Sequence, residues 1–188
     1  MSDVRASARP DASRIPGVAF GRIERHGDDR GSFRELWRRS ALDEPFVQAN
    51  LSSSTVGVLR GLHLHRHQVD HWIVAAGRAF VALVDARPLL DPDGAGTPVV
   101  ETRELGPDET VTIPAGVAHG FLALEALDLV YLVTNEYDGS DELGFAWDDP
   151  AVGVPWPVVD SSPDGRPVLS GRDRANASLH ELVGRLRR

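Results

Sequence analysis

Four histidines, His63, His65, His67 and His71, crowd the stretch GLHLHRHQVDHWIVAAG, and His119 ends the later stretch IPAGVAH. Imidazole does three things near neutral pH: it ligates divalent metals, it exchanges protons, and it makes ordinary hydrogen bonds. Spacing narrows the choice only in part. Alternate side chains of a strand share a face, so a regular strand would put His63, His65 and His67 on one side. Asp70 and His71 are adjacent and must face opposite ways. The residues alone leave ligand, acid–base group and polar surface open. For His67 and His71 ordinary hydrogen bonding is the default, because buried polar groups are nearly always satisfied that way.

The elements that must carry these side chains read as strands. From Gly17 to about Pro157, short runs rich in Val, Leu and aromatics (HWIVAAG, RAFVALVDAR, VVETREL, LDLVYLVTNEY) alternate with Gly, Pro and Asp. That pattern predicts an all-β sandwich or barrel. The C-terminus differs. Ser178 with Glu181 has capping-box spacing, and Leu179, Leu182, Val183 and Leu186 then recur at helical period, which predicts a helix over 178–188 packed on the barrel.

Composition excludes several roles. The 188 residues suit one domain, and a hydrophobic share of 41% marks a chain that folds. A formal net charge of −8, with no basic stripe, argues against nucleic acid. No apolar run approaches the ~20 residues a membrane span needs. The opening MSDVRASARPDASRI lacks the apolar region of a secretory signal, so residues 1–15 are expected to form a flexible tail before a single domain over 16–188, in the cytoplasm. With no cysteine in the chain, a metal could be held only by His and carboxylate. All basic residues are arginine, so no ammonium side chain is available to any mechanism.

Two motifs resemble those of the cupin superfamily. His63-x-His65, Asp70 and Gly77 follow the first cupin motif with Asp in place of Glu, and Pro114-x-Gly116-x-x-His119 follows the second. A closer likeness covers about three quarters of the chain. DDRGSFREL, FVQANLSSSTVGVLRGLH, IPAGVAHGFLAL, VYLVTNEY, WDDP and VPWP occur in order, and LSGRD continues the spacing. This series resembles the dTDP-4-dehydrorhamnose 3,5-epimerase family. The resemblance implies a double-stranded β-helix, the cupin jelly roll. It also implies a homodimer, a dTDP-linked 4-keto-6-deoxyhexose as substrate, and no required cofactor. His63 would be the base that removes a proton next to the ketone, and Tyr131 the acid that returns one. Arg60 and His119 would hold the pyrophosphate with help from Arg30, while Glu35, Gln48 and Asn50 line the nucleotide end and Asp173 the rim.

The sequence departs from the family at two places. Asp70 stands where the resemblance expects an enolate-stabilising lysine. Gly171 stands where it expects the aspartate that orients the base. His65 and Asp70 instead complete a cupin-like ligand set, His63, His65, Asp70 and His119, for Fe, Mn, Ni or Zn, with His67 and His71 outside it. Alternatives to epimerisation are therefore a metal-dependent cupin performing cyclisation, oxygenation or another isomerisation, or a non-catalytic sugar-nucleotide binder. Trp37, Trp147 and Trp156 are expected to pack the structure, and Trp72, in step with Asp70, to line the cavity.

Overall fold

The computed structural model describes residues 12–91, 96–160, 162 and 164–187. Its strands are β1 (Ala19–Arg22), β2 (Arg25–Asp28), β3 (Gly31–Arg34), β4 (Gln48–Ser54), β5 (Leu59–Leu64), β6 (Asp70–Ala76), β7 (Ala79–Asp85), β8 (Val99–Leu105), β9 (Glu109–Ile113), β10 (Val117–Ala123), β11 (Leu127–Val133) and β12 (Leu143–Gly144). The helices are α1 (Arg87–Leu90), α2 (Gly171–Ala175) and α3 (Leu179–Leu186). One sheet runs β1-β9-β6-β11-β4 and faces a second, β12-β5-β10-β7-β8, while β2 and β3 form a separate hairpin. The strand pairs are antiparallel. This is the expected all-β jelly roll with a C-terminal helix.

Period-two alternation explains the layering. Along β7, Ala79, Val81 and Leu83 enter the inter-sheet core, while Ala82 and Val84 enter a second core beneath α3. β7 is thus apolar on both faces and reads as a nearly continuous hydrophobic run. Ser178 caps α3 in a reciprocal capping box with Glu181. Leu179, Leu182 and Val183 are buried beneath it, each such side chain contributing roughly 1.5–3 kcal/mol.

Residues 1–11 of the expected tail lie outside the described residues. Residues 13–15 do not behave as a tail. The Ser13 hydroxyl donates to Glu101 at 2.6 Å and the Arg14 N–H at 2.9 Å. Ile15 is 1% exposed in the inter-sheet core. A single apolar side chain at the end of a polar stretch carries no periodicity, so its burial was not readable.

The β2–β3 hairpin is fastened by Asp108. Its carboxylate accepts from Arg25 Nε at 2.7 Å and from Arg34 Nη1 at 2.7 Å. Arg25, then Arg34, hold this acid below the usual carboxylate range despite burial.

Candidate functional site

The inner faces of the two sheets part at one end to leave a cavity of about 400 Å³. Strand parity decides what enters it. On β5, Leu62 and Leu64 go to the core under α3, so His63 faces the cavity, as does His65 just past the strand's end. On β6, Trp72 and Val74 face the inter-sheet core, and Asp70, in step with them, joins the cavity wall. His71 has the opposite parity, packs near Phe46 on the outer face, and bonds Thr112 at 2.8 Å. β5 ends at Leu64, so alternation stops there and His67 is exposed, its N–H donating to Asp141.

Arg60 also lines the cavity, although a regular strand would turn it away from His63. The register supplies the reason. His119 pairs with His63, but Phe121 pairs with Arg60, so β5 carries one extra residue between the two pairs. This is a β-bulge. Gly61 occupies it at φ 130°, where a Cβ would lie 2.6 Å from Gly120 Cα. A Cβ on Gly120 would lie 2.8 Å from the Arg60 carbonyl. The glycines of RGLH and AHGF are thus each other's clearance, and their close approach holds His63 opposite His119.

One side of the cavity centres on His63. Its Nε2–H donates to Asp173 Oδ1 at 2.9 Å, leaving Nδ1 unprotonated in the neutral ring. Asp173 is 4% exposed and lies on α2, where its N–H donates to the Ser170 hydroxyl. Burial alone would raise this acid, but His63, Ser170 and Arg172 outweigh it and hold it low. The expectation that Gly171 had removed the orienting carboxylate is therefore corrected. Asp173, two residues along and expected at the rim, provides it. Tyr131, on β11, lines the same cavity. Burial, with Asp70, pushes its phenol up, so it is a proton donor at neutral pH.

The other side holds three buried groups. One ligand atom each from His65, Asp70 and His119 lie within 4.8 Å of one another. His63, expected as a fourth ligand, is not in this cluster, and its Nε2 is bonded to Asp173. His119 Nδ1–H donates to the Val117 carbonyl at 3.1 Å, and its Nε2 lies 3.6 Å from Asp70. Burial pushes this imidazole down to about 4 against the pull of Asp70. In the neutral ring the one N–H is thus already engaged by Val117. Arg60 Nε donates to the Ser54 hydroxyl at 3.1 Å.

Gln48 and Asn50 line the cavity as expected, joined by a 2.9 Å hydrogen bond. Arg30 and Glu35 do not reach it: Arg30 pairs with Asp28 on the exposed hairpin, and Glu35 pairs with Arg38. Trp72 lines the cavity and its indole N–H donates to Asp70 at 3.2 Å. Among residues the sequence reading missed, Glu142 and Ser52 are cavity-lining, and the Ser52 hydroxyl has no partner. Glu142 sits beside an acidic turn whose neighbour Asp141 anchors His65 through its carbonyl at 2.8 Å. No spacing rule ties that turn to a strand so distant in sequence.

Residues 12–181 match the family model for dTDP-4-dehydrorhamnose 3,5-epimerase. The chain belongs to this family. The dTDP-4-dehydrorhamnose 3,5-epimerase of Pseudomonas aeruginosa is 35% identical over 174 residues, covering 85% of this chain and 90% of that protein. The dTDP-6-deoxy-D-glucose-3,5-epimerase of Legionella pneumophila, solved with dTDP-4-keto-L-rhamnose, superposes with a TM-score of 0.77 at 30% identity, covering 93% and 94% of the two chains. A 3'-monoepimerase of Streptomyces bikiniensis, solved with dTDP-quinovose, gives a TM-score of 0.77 at 28% identity over 93% and 89%. Among the described residues no helix is long and apolar enough to cross a membrane.

Proposed function

We propose that this member of the epimerase family inverts a carbon next to the ketone of a dTDP-4-keto-6-deoxyhexose. The observation that carries the reading is the His63–Asp173 pair opening on the same cavity as Tyr131. His63 Nδ1 takes the proton from the carbon beside the carbonyl, and the C–H electron pair moves to the carbonyl oxygen as an enolate. Asp173 steadies the imidazolium that forms. The enolate collapses as the Tyr131 hydroxyl delivers a proton to the opposite face. Solvent then carries the proton from His63 to the phenolate, restoring both groups. Arg60 takes the pyrophosphate, and Gln48 and Asn50 the nucleotide end.

The working unit is a homodimer in this reading, with Arg30 of one copy's hairpin reaching toward its partner's ligand. Support comes from the family resemblance and from Phe33 and Leu51, which are 68% and 64% exposed on the hairpin and on β4; light scattering at working concentration tests it. The central test is incubation with dTDP-4-keto-6-deoxyglucose in deuterated solvent. Incorporation of deuterium beside the ketone, with the inverted product, is the expected result; an unlabelled, unchanged sugar rejects the function.

A further inference from the structure

His65, Asp70 and His119 sit on or beside three different strands, all three are buried, and all face one cavity. Proton abstraction next to a ketone needs positive charge at the developing oxyanion. Among the described residues, the charged groups lining this cavity, apart from its histidines, are Arg60, Asp70 and Glu142. Arg60 leans on Ser54 and the Ser53 carbonyl, and the chain has no lysine to supply a second cation. Two carboxylates facing one guanidinium is the wrong balance for an enolate.

The orientation of the three groups is informative. His65 Nδ1–H donates to the Asp141 carbonyl and His119 Nδ1–H to the Val117 carbonyl. In the neutral tautomer that these bonds favour, Nε2 of each ring carries the lone pair. Nε2 of His119 lies 3.6 Å from Asp70 Oδ2, and Nε2 of His65 lies 3.9 Å from Glu142. The Asp70 carboxylate is itself held by Gln68 Nε2 at 2.7 Å and the Trp72 indole N–H at 3.2 Å. Imidazoles whose far N–H is tied to a backbone carbonyl, and a carboxylate fixed by neighbouring donors, are the outer supports a metal centre requires. Ligand atoms about 2.1 Å from one ion are separated by roughly 3.0–3.5 Å; the His119–Asp70 pair at 3.6 Å is close to that spacing, and the full cluster, within 4.8 Å, would draw in around an ion. Nitrogen and oxygen donors in a two-His-one-carboxylate set suit Fe(II), Mn(II), Co(II) or Zn(II) and leave positions open.

We infer that His65, Asp70 and His119 form a divalent transition-metal site, with Glu142 as an adjoining carboxylate, and that an ion there faces the ketone oxygen of the sugar. The ion's place in the reaction rests on the epimerase reading; the site itself does not. It would supply the positive charge that Arg60 alone does not, while His63 and Tyr131 remain free to move protons.

The test uses Co(II) as probe on full-length protein purified without an affinity tag and stripped with chelator. One equivalent is expected to bind with visible d–d bands and to raise the melting temperature. Asp70→Asn, which keeps the side chain's shape, is expected to weaken binding at least 100-fold, and His67→Ala, at an exposed histidine outside the cluster, to leave it unchanged. A His65→Ala variant checked by circular dichroism gives the second measure. No stoichiometric Co(II) binding, or binding that survives Asp70→Asn and His65→Ala, overturns the site. Deuterium exchange into the sugar is expected to fall at least tenfold on stripping and to return with Co(II). Exchange that is undiminished in stripped protein overturns the ion's place in the reaction. Exchange absent in every metal state counts against the epimerase reading instead, with the Co(II) titration still deciding the site.

Discussion

Replacing Asp173 by Asn isolates the carboxylate's effect on the base. The side chain keeps its shape, and its backbone N–H can still donate to Ser170. What changes is the partner of His63 Nε2. Two charges 2.9 Å apart at an effective dielectric of 20 attract by about 6 kcal/mol. His63 is 28% exposed, and solvent screening brings the net support for the imidazolium to about 3 kcal/mol, in keeping with hydrogen bonds to charged groups. That corresponds to roughly a hundredfold in rate. A second effect adds to it. The Asn amide can donate to Nε2 and so place the ring proton on Nδ1, the atom that must accept one. Such an inversion in another His–Asp pair cost about 10⁴ in turnover. The expected loss is therefore between about 10² and 10⁴ in kcat for deuterium exchange, with dTDP affinity, read by calorimetry, within twofold of wild type because Asp173 is not part of the cavity lining. An exchange rate within threefold of wild type, or a loss that follows dTDP affinity, would refute the reasoning.

Tyr131→Phe removes the returning proton but not the base, so deuterium wash-in should continue while inverted product falls at least about 10²-fold; equal loss of both would place Tyr131 elsewhere in the reaction. Arg60→Ala should weaken dTDP binding about 10- to 100-fold by calorimetry, the usual worth of a charge-assisted contact to phosphate, and unchanged affinity would remove Arg60 from the pyrophosphate. Gly120→Ala puts a Cβ 2.8 Å from the Arg60 carbonyl and should cost about 1–3 kcal/mol in denaturant unfolding, with loss of dTDP binding as β5 and β10 part; a wild-type midpoint would show that the strands can give. Asp108 is held low by its arginines, and a depressed acid gives stability that is present above its unfolded value near 4 and lost as pH falls through the folded one. Asp108→Asn, at a φ of 72° that Asn tolerates, should lower the melting temperature by about 2–6 °C at pH 7, with the gap closing below about pH 4; a gap independent of pH would assign the loss to geometry.

Much of the fold was legible because it depends on local period. Leu179, Leu182 and Val183 mark α3 at helical spacing, and its capping box is where Ser178 and Glu181 imply. The opposite facing of Asp70 and His71 follows from parity, and it separates a cavity residue from one buried on the outer face near Phe46. Parity fails at Gly61. A regular β5 sets Arg60 against the core and His63 in the cavity, and only the one-residue bulge against β10 brings both to the same side. Nothing in RGLH announces the bulge except its glycine, whose need is set by Gly120 on a strand far along the chain.

The misplaced carboxylate follows the same logic in three dimensions. Counting along LSGRD puts a glycine at the position compared with an orienting aspartate, and from one dimension the base loses its partner. α2 decides otherwise. Ser170 caps it and accepts the Asp173 N–H at 3.0 Å, which sets Asp173 in the first turn, buried while Gly171 and Arg172 stay exposed. In this five-residue helix it is the third position that faces inward, toward His63. The contact spans 110 residues of sequence, so it is a property of how α2 docks beside β5, not of the motif's letters. The acid turn at Asp141 and Glu142 was invisible for the same reason: it contributes a carbonyl to His65 and a carboxylate to the cavity, and neither leaves a periodic trace. Strands advertise which side chains share a face, while the loops and short helices that complete the site are positioned by tertiary contacts. The His63–Asp173 pair needed both kinds of information, one member from β5 and the other from α2.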